Sequence, residues 1–308
     1  MLGRGVAEGL AQREPTSFVA PALAAASREA DLFVLNLECC ISERGQPWPA
    51  PGKPFFFRAP PRATELLAHL GVRCVTLANN HALDFGEEAL LETFDHLAAA
   101  DIAWVGAGQD LARARAPALL EAGGERVGVV AFSDHPQDFA ATPKQPGIAW
   151  ADLRAGLPDW ARDAIDALDA DVVLASPHWG PNMNDRPLPY VRAAAAELRR
   201  AGATLIAGHS AHVVQGVEGT ALYDLGDFLD DYRVDARLRN DLGLLFLVEV
   251  EGGVPRRLEA VPLKLEYCFT RLADGDDAAW IRRRFRDLCA ELGTDTTESD
   301  GRVVINWT

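Results

Sequence analysis

The stretch "VRCVTLANNHALDFGEEALLETFDHLAAA", residues 72–100, decides how the chain is read. An apolar run with β-branched residues ends in two carboxamides and an imidazole, Asn79, Asn80 and His81. A carboxylate, Asp84, and Gly86 follow, after which apolar residues recur at helical spacing. A strand that hands over to a helix through a polar turn is half of a βαβ unit. Working outward, the same alternation recurs. Strands are expected at 31–38, 102–106, 126–132, 171–179 and 203–208, and helices at 61–71, 86–100, 157–170 and 188–202. Such alternation implies an α/β fold with a largely parallel sheet.

After residue 215 the texture changes. Residues 220–229, 242–253 and 256–267 read as successive strands joined by short Gly or Pro turns. A helix near 277–292 and a strand at 302–307 close the chain. Two packed sheets with helices outside are expected to hold both halves, and the absence of a low-complexity linker makes 1–308 a single domain. The loop "SERGQPWPAPGKPFFFRAPP", 42–61, is too long and too rich in Pro and aromatics for a simple connection, which marks it as functional.

The chain has 308 residues, 48% of them hydrophobic, enough for a large core. No run of eighteen apolar residues is present, and "MLGRGVAEGLAQREP" lacks the apolar core of a secretory signal. Five cysteines, Cys39, Cys40, Cys74, Cys268 and Cys289, form neither a CxxC pair nor a disulfide framework, so buried thiols in a reducing cytoplasm are expected. A formal charge of -15 repels polyanions, which argues against nucleic acid and anionic membranes as partners. It does not exclude a small anionic substrate, because bound cations can invert the potential inside one pocket.

In parallel sheets, ligands bind beyond the carboxyl ends of the strands. Four expected strands end in polar residues there: Asn36 and Glu38; Asn79, Asn80 and His81; His178; His209 and His212. Five of the seven histidines follow strands, His135 being the fifth, whereas His69 and His96 fall in amphipathic helices and read as structural. Carboxylate, amide oxygen and imidazole together suit Zn, Mn or Fe. Each residue also has a plain reading. Asn79 makes a turn, His178 fills a core position, and Asp84 with Glu87 three residues on forms a capping box for the following helix.

The segments "MLGRG", "NLE", "PGKPFFFRAPP", "LANNHALDFG", "VGAGQDLARARAP", "HWG", "GHSAHVVQGVE" and "LYDLGDF", spread over residues 1 to about 232, resemble the capsule or poly-gamma-glutamate synthesis protein family CapA, itself similar to calcineurin-like metallophosphoesterases. The resemblance implies a four-layer α/β/β/α sandwich with two divalent ions (Mn, Fe or Zn) among the loops. Carried over by position, Glu38 is the bridging carboxylate, Asn80, His178 and His209 are ligands of one ion, and His212 is a ligand of the other. His81 matches a histidine that stands beside the metals and protonates a leaving group or stabilises the transition state, with Asp84 orienting it. Arg4, Lys53 and Arg58 are candidates for holding an anionic group of a small or polymeric substrate. Lys53 and Arg58 have an equal alternative, lying over the aromatic run Phe55–Phe57.

The chain also departs from the family. The family's usual opening strand ending in Gly-Asp does not precede Met1 in this sequence. A start assigned too late is the favoured expectation, because a sheet deprived of that inner strand would leave its neighbours' backbone donors and apolar faces unpaired. The alternative is a second ion with only Glu38 and His212. Ser210 and Ala211 stand where His-Pro is frequent, Asn182 where Glu is frequent, and Asp227 where Asn is common. Asp227 has two readings, replacement of negative charge near the ions or a surface turn. The function implied is a metal-dependent hydrolase acting through metal-activated water on a phosphoester or a gamma-glutamyl-type amide. Its rivals are a non-catalytic subunit working with polyglutamate synthase components and a metal-binding fold that has lost catalysis.

Overall fold

A computed structural model describes residues 1–49 and 51–307; Ala50, inside the loop 42–61, and Thr308, the last position of the expected domain, lie outside the described residues. Three sheets carry the architecture. The first is parallel, in the order β1 (Phe33–Asn36), β2 (Val72–Thr76), β3 (Ala103–Val105). The second contains β4 (Ala118–Ala122), β5 (Glu125–Ser133), β6 (Val172–His178), β7 (Leu205–Ala207), β8 (Val217–Glu218) and β9 (Ala221–Leu222). Its order is β8-β9-β7-β6-β5-β4, with β5, β6, β7 and β9 parallel and the two end strands antiparallel. The third is antiparallel: β10 (Leu242–Glu251), β11 (Val254–Glu266), β12 (Phe269–Leu272), β13 (Thr297–Ser299) and β14 (Arg302–Asn306).

The first two sheets pack face to face, and the alternation of side chains along each strand serves two cores. Leu174 of β6 and Val129 of β5 turn inward to meet Cys74 and Val105 of the first sheet. Val173 and Ala175 turn outward, under helices α3 (Asp159–Asp166) and α4 (Pro189–Arg200). On the opposite outer face Val75 meets Leu66, Leu70, Leu90 and Leu97; the helices they belong to, Ala63–Leu70 and Gly86–Ala99, are here α1 and α2. Burial on both faces explains why these strands read as near-continuous apolar runs. The result is the expected α/β/β/α layering.

One expectation is corrected. The C-terminal hairpins do not join the two inner sheets. β11 has thirteen residues and uses one edge for β10 and the other for β12 and β14, so its backbone groups are satisfied within a sheet of its own. Helix α5 (Gly275–Glu291) covers that sheet through Ile281, Phe285 and Cys289. Of residues 220–229, only Ala221–Leu222 is strand; the remainder is the turn that carries Asp227. All five cysteines are free and buried.

Among the described residues, β1 has a hydrogen-bonded neighbour strand on one side only. Along its other side runs a cavity of about 670 Å³, bounded across by Leu244–Val250 of β10 and floored by Val127, Leu174 and Leu205 of the second sheet. The cavity's polar end is formed by Glu38, His209, His212 and Asp227.

Candidate metal centre

The carboxyl ends of β1, β2, β6 and β7 meet, and the polar residues there form one connected network. His178 and His209 lie opposite each other across a parallel bridge, which puts both imidazoles on one face. Their Nδ1 atoms are 2.7 Å apart. His209 Nε2 is 3.4 Å from Thr76 Oγ1, and Thr76 donates to Asn36 Oδ1 at 3.3 Å. Asn36 donates to Glu38 Oε2 at 3.0 Å, and Glu38 Oε1 lies 3.6 Å from His212 Nε2. His212 Nδ1 is 2.8 Å from Asp227 Oδ1. A branch runs from Asn36 through Asn79, whose side-chain amide donates to Asn36 Oδ1 and the Leu37 carbonyl while its oxygen accepts the His81 N–H. Asn79 is therefore more than a turn former, because it ties the ends of β1 and β2 together.

His81 and Asp84 form a buried pair with Nδ1 2.6 Å from Oδ2. The capping-box expectation for Asp84 is overturned. Helix α2 begins at Gly86 after Phe85 with no side-chain cap, and the carboxylate is occupied elsewhere. Asp84 Oδ2 accepts the Phe57 N–H at 2.6 Å, and Oδ1 is 2.8 Å from Lys53 Nζ. Lys53 also donates to the Asn80 carbonyl at 2.7 Å, and the Phe57 ring lies on His81 with centroids 4.0 Å apart. The long loop 42–61 thus delivers Lys53 and Phe57 to the His81–Asp84 pair.

Other candidates point elsewhere. Arg4 pairs with Asp231 at 3.2 Å and lies over Phe55. Arg58 sits over the Phe85 ring, 4.1 Å from its centroid, and donates to the Arg44 carbonyl. His135 stands 5.0 Å from His178 by ring centroids and bonds through Nδ1 to Asp134, whose other oxygen accepts from Tyr190 Oη and Gly180 N–H. Phe57, Thr76 and Asp134 were invisible as site residues in the sequence, since an aromatic in a loop and a threonine in a strand carry no chemical signature of their own.

Two glycines permit the packing. A Cβ at Gly208, just before His209, would stand 2.3 Å from the Tyr223 carbonyl oxygen and 2.4 Å from Trp179 Nε1. Gly226, just before Asp227, has φ +70 and would drive a Cβ to 2.9 Å from Val214. Asp224 clamps the two turns together by accepting from Ala211 N–H (2.7 Å) and Gly226 N–H (2.9 Å).

The electrostatics divide the histidines. Burial holds His178 well below its ordinary value, with the neighbouring imidazoles adding to the effect, and burial brings His209 down to about 3. Both are neutral at physiological pH, the state in which a ring nitrogen can bind a metal. For His212 burial opposes protonation, but Asp227 and Glu38 outweigh it and push the imidazole up to about 10. That spot favours positive charge.

Among the described residues, no three His, Cys, Asp or Glu side chains already surround one point as a metal requires. The donor set nevertheless fits a divalent ion in kind. Glu38 Oε1, Asn80 Oδ1 and His178 Nε2 are buried and have no hydrogen-bond partner among the described residues. Buried polar atoms are ordinarily hydrogen-bonded, so atoms of ligand type left without a hydrogen bond on Glu38 and His178 in this network, and on Asn80 in the adjoining turn, are the ones open to a cation.

A family model for the bacterial capsule synthesis protein PGA_cap matches residues 1–232. A probable polyglutamine synthesis accessory protein of Mycobacterium tuberculosis is 34% identical over 282 residues, spanning 85% of this chain and 73% of the relative. The capsule biosynthesis protein CapA of Bacillus anthracis is 28% identical over 239 residues, spanning 75% of this chain and 58% of the relative. A solved structure of a hypothetical protein from Thermus thermophilus is similar with a TM-score of 0.41 at 16% identity, over 82% of this chain and 92% of that one.

Proposed function

The chain belongs to the bacterial capsule synthesis protein PGA_cap family, and from that premise we propose that it is a metal-dependent hydrolase acting on a phosphoester or a γ-glutamyl-type amide. The observation that carries the reading is that Glu38 and His178 in the buried network, and Asn80 in the turn beside it, keep ligand-type atoms without a hydrogen bond among the described residues. Glu38, Asn80, His178 and His209 would hold one ion, and Glu38 with His212 would take part in holding a second. When bound, such ions activate water and polarise a phosphoryl or carbonyl oxygen.

The chain's own part is proton transfer and orientation. Asp84 fixes His81 through Nδ1, which leaves Nε2 to give a proton to a leaving group. The ring of Phe57 packed on His81 restricts its rotation and keeps water from one face. Lys53, held by Asp84 and the Asn80 carbonyl, supplies the positive charge nearest this dyad. Lys53 is engaged with Asp84 as Arg4 is with Asp231, and it ranks before Arg4 and Arg58 for the anionic group of the substrate only because it adjoins the His81–Asp84 pair.

A second reading is an accessory role beside polyglutamate synthase components, favoured by the name of the Mycobacterium tuberculosis relative. It needs no turnover. The two separate in one assay: the protein is loaded with Mn²⁺ and incubated with bis(p-nitrophenyl) phosphate, p-nitrophenyl phosphate and poly-γ-glutamate. Metal-dependent release of product from any of them, abolished in His81→Ala, supports the hydrolase. Stoichiometric metal with no turnover on all three favours the accessory role.

A further inference from the structure

We infer that Asp227 is a positioning residue for a second cation, holding His212 so that His212 Nε2 and Glu38 Oε1 face one point; this rests on the metal-dependent reading of the site. Asp227 Oδ1 lies 2.8 Å from His212 Nδ1, a contact that fixes the ring with Nε2 turned toward Glu38. The separation of Nε2 from Glu38 Oε1 is 3.6 Å. Two ligands of one tetrahedral ion, each about 2.0–2.1 Å from it, stand about 3.4 Å apart. Among the described residues Glu38 Oε1 accepts no hydrogen bond, and His212 Nε2 is the charged group paired with it.

The local backbone is built for this aim. His212 has φ +59, a left-handed conformation that a histidine adopts only where its surroundings enforce it. Asp224 supplies the enforcement by bonding both the turn before His212 and the turn before Asp227. Tyr232 closes the remaining side of the ring, edge to face at 5.2 Å. Asp227 itself is no surface turn residue: its side chain is 10% exposed and lies beside the buried carboxyl of Asp230. A carboxylate behind a metal-binding imidazole fixes its tautomer and orientation, and removal of such a partner costs about 10–100-fold in metal affinity.

The test is calorimetric titration of chelator-stripped protein with Zn²⁺, with bound metal counted by elemental analysis. Wild type, Asp227→Ala, Asp227→Asn, His212→Ala and the Asp227→Ala/His212→Ala double variant are compared. Wild type is expected to take two ions. Asp227→Ala should weaken the second by about 10–100-fold with the first unchanged. Asp227→Asn, which keeps the acceptor oxygen, should restore most of the loss. In the His212→Ala background, Asp227→Ala should add nothing, because its effect passes through the imidazole. Should Asp227→Ala fail to fold, Asp227→Ser, too short to reach Nδ1, replaces it. A second ion bound as tightly by Asp227→Ala as by wild type overturns the inference, as does an equal loss in the His212→Ala background. One ion only in wild type overturns it and leaves the hydrolase reading standing; no ion in wild type overturns both.

Discussion

Two clusters of charge in this molecule are built in opposite ways. In the C-terminal half, Arg239 bonds Asp241 at 2.8 Å and Asp277 at 2.6 Å, while Lys264 pairs with Asp241 and lies 3.1 Å from Asp277. Each charge there has partners of opposite sign. At the ends of β1, β2, β6 and β7 the polar groups are more deeply buried, and Glu38, Asn80 and His178 keep atoms with no hydrogen bond among the described residues. The first cluster is closed and secures the third sheet against α5. The second is open, an arrangement that costs stability and is retained where a site needs it.

The contrast is sharpest in variants that separate stability from chemistry. On the proposed hydrolase reading, His81→Ala in the metal-loaded protein should reduce turnover by about 10²–10⁴-fold with metal content unchanged, measured as kcat together with elemental analysis. His178→Ala should abolish tight binding of the first ion and turnover with it. Wild-type-like values in both would break the account of the open cluster.

Removing Arg239 should do the reverse. Arg239→Ala leaves Asp241, whose side chain is 6% exposed, with Lys264 alone, and should lower unfolding free energy by about 1–3 kcal/mol in urea titration without altering metal binding. Asn80→Ala in metal-free protein removes an oxygen that has no partner, and should cost less than about 1 kcal/mol while weakening metal binding. If Asn80→Ala destabilised the metal-free protein more than Arg239→Ala, the open and closed descriptions would have to be exchanged.

The sequence made the layers legible because parallel strands buried on both faces and amphipathic helices leave distinct periods, and β6, β10 and α5 lie close to where those periods put them. The third sheet escaped because an antiparallel hairpin has the same alternation whichever sheet it joins. At the site, imidazoles and carboxylates at strand ends stood out as chemically unusual in a core. What held them did not. Thr76 looks like any β-branched strand residue, and Phe57 like any loop aromatic. Asp84 has the spacing of a helix cap, yet its carboxylate is taken by Lys53, the Phe57 N–H and His81, partners brought from outside its own turn. Asp227 could be separated from a surface turn only once its distance to His212 was known.

The smallest expected effect is acid sensitivity of the closed cluster. Burial alone would raise the Asp241 carboxyl, but its bonds to Arg239 and Lys264 prevail and hold it below the ordinary 3.8. A carboxyl whose folded value is depressed contributes stability that is present above its unfolded value and is lost as pH falls through the folded one. The urea midpoint should therefore drop below about pH 4, and Asp241→Asn should flatten that part of the profile. An unchanged slope in Asp241→Asn would remove this cluster from the account of acid stability.

The central claim is that residues from four strand ends share a divalent cation. Anomalous diffraction from crystals of Mn²⁺-loaded protein measures this directly. The account predicts a peak bonded by Glu38, Asn80, His178 and His209. A peak bound by other residues, or none in crystals that retain these four side chains in a common pocket, would contradict it.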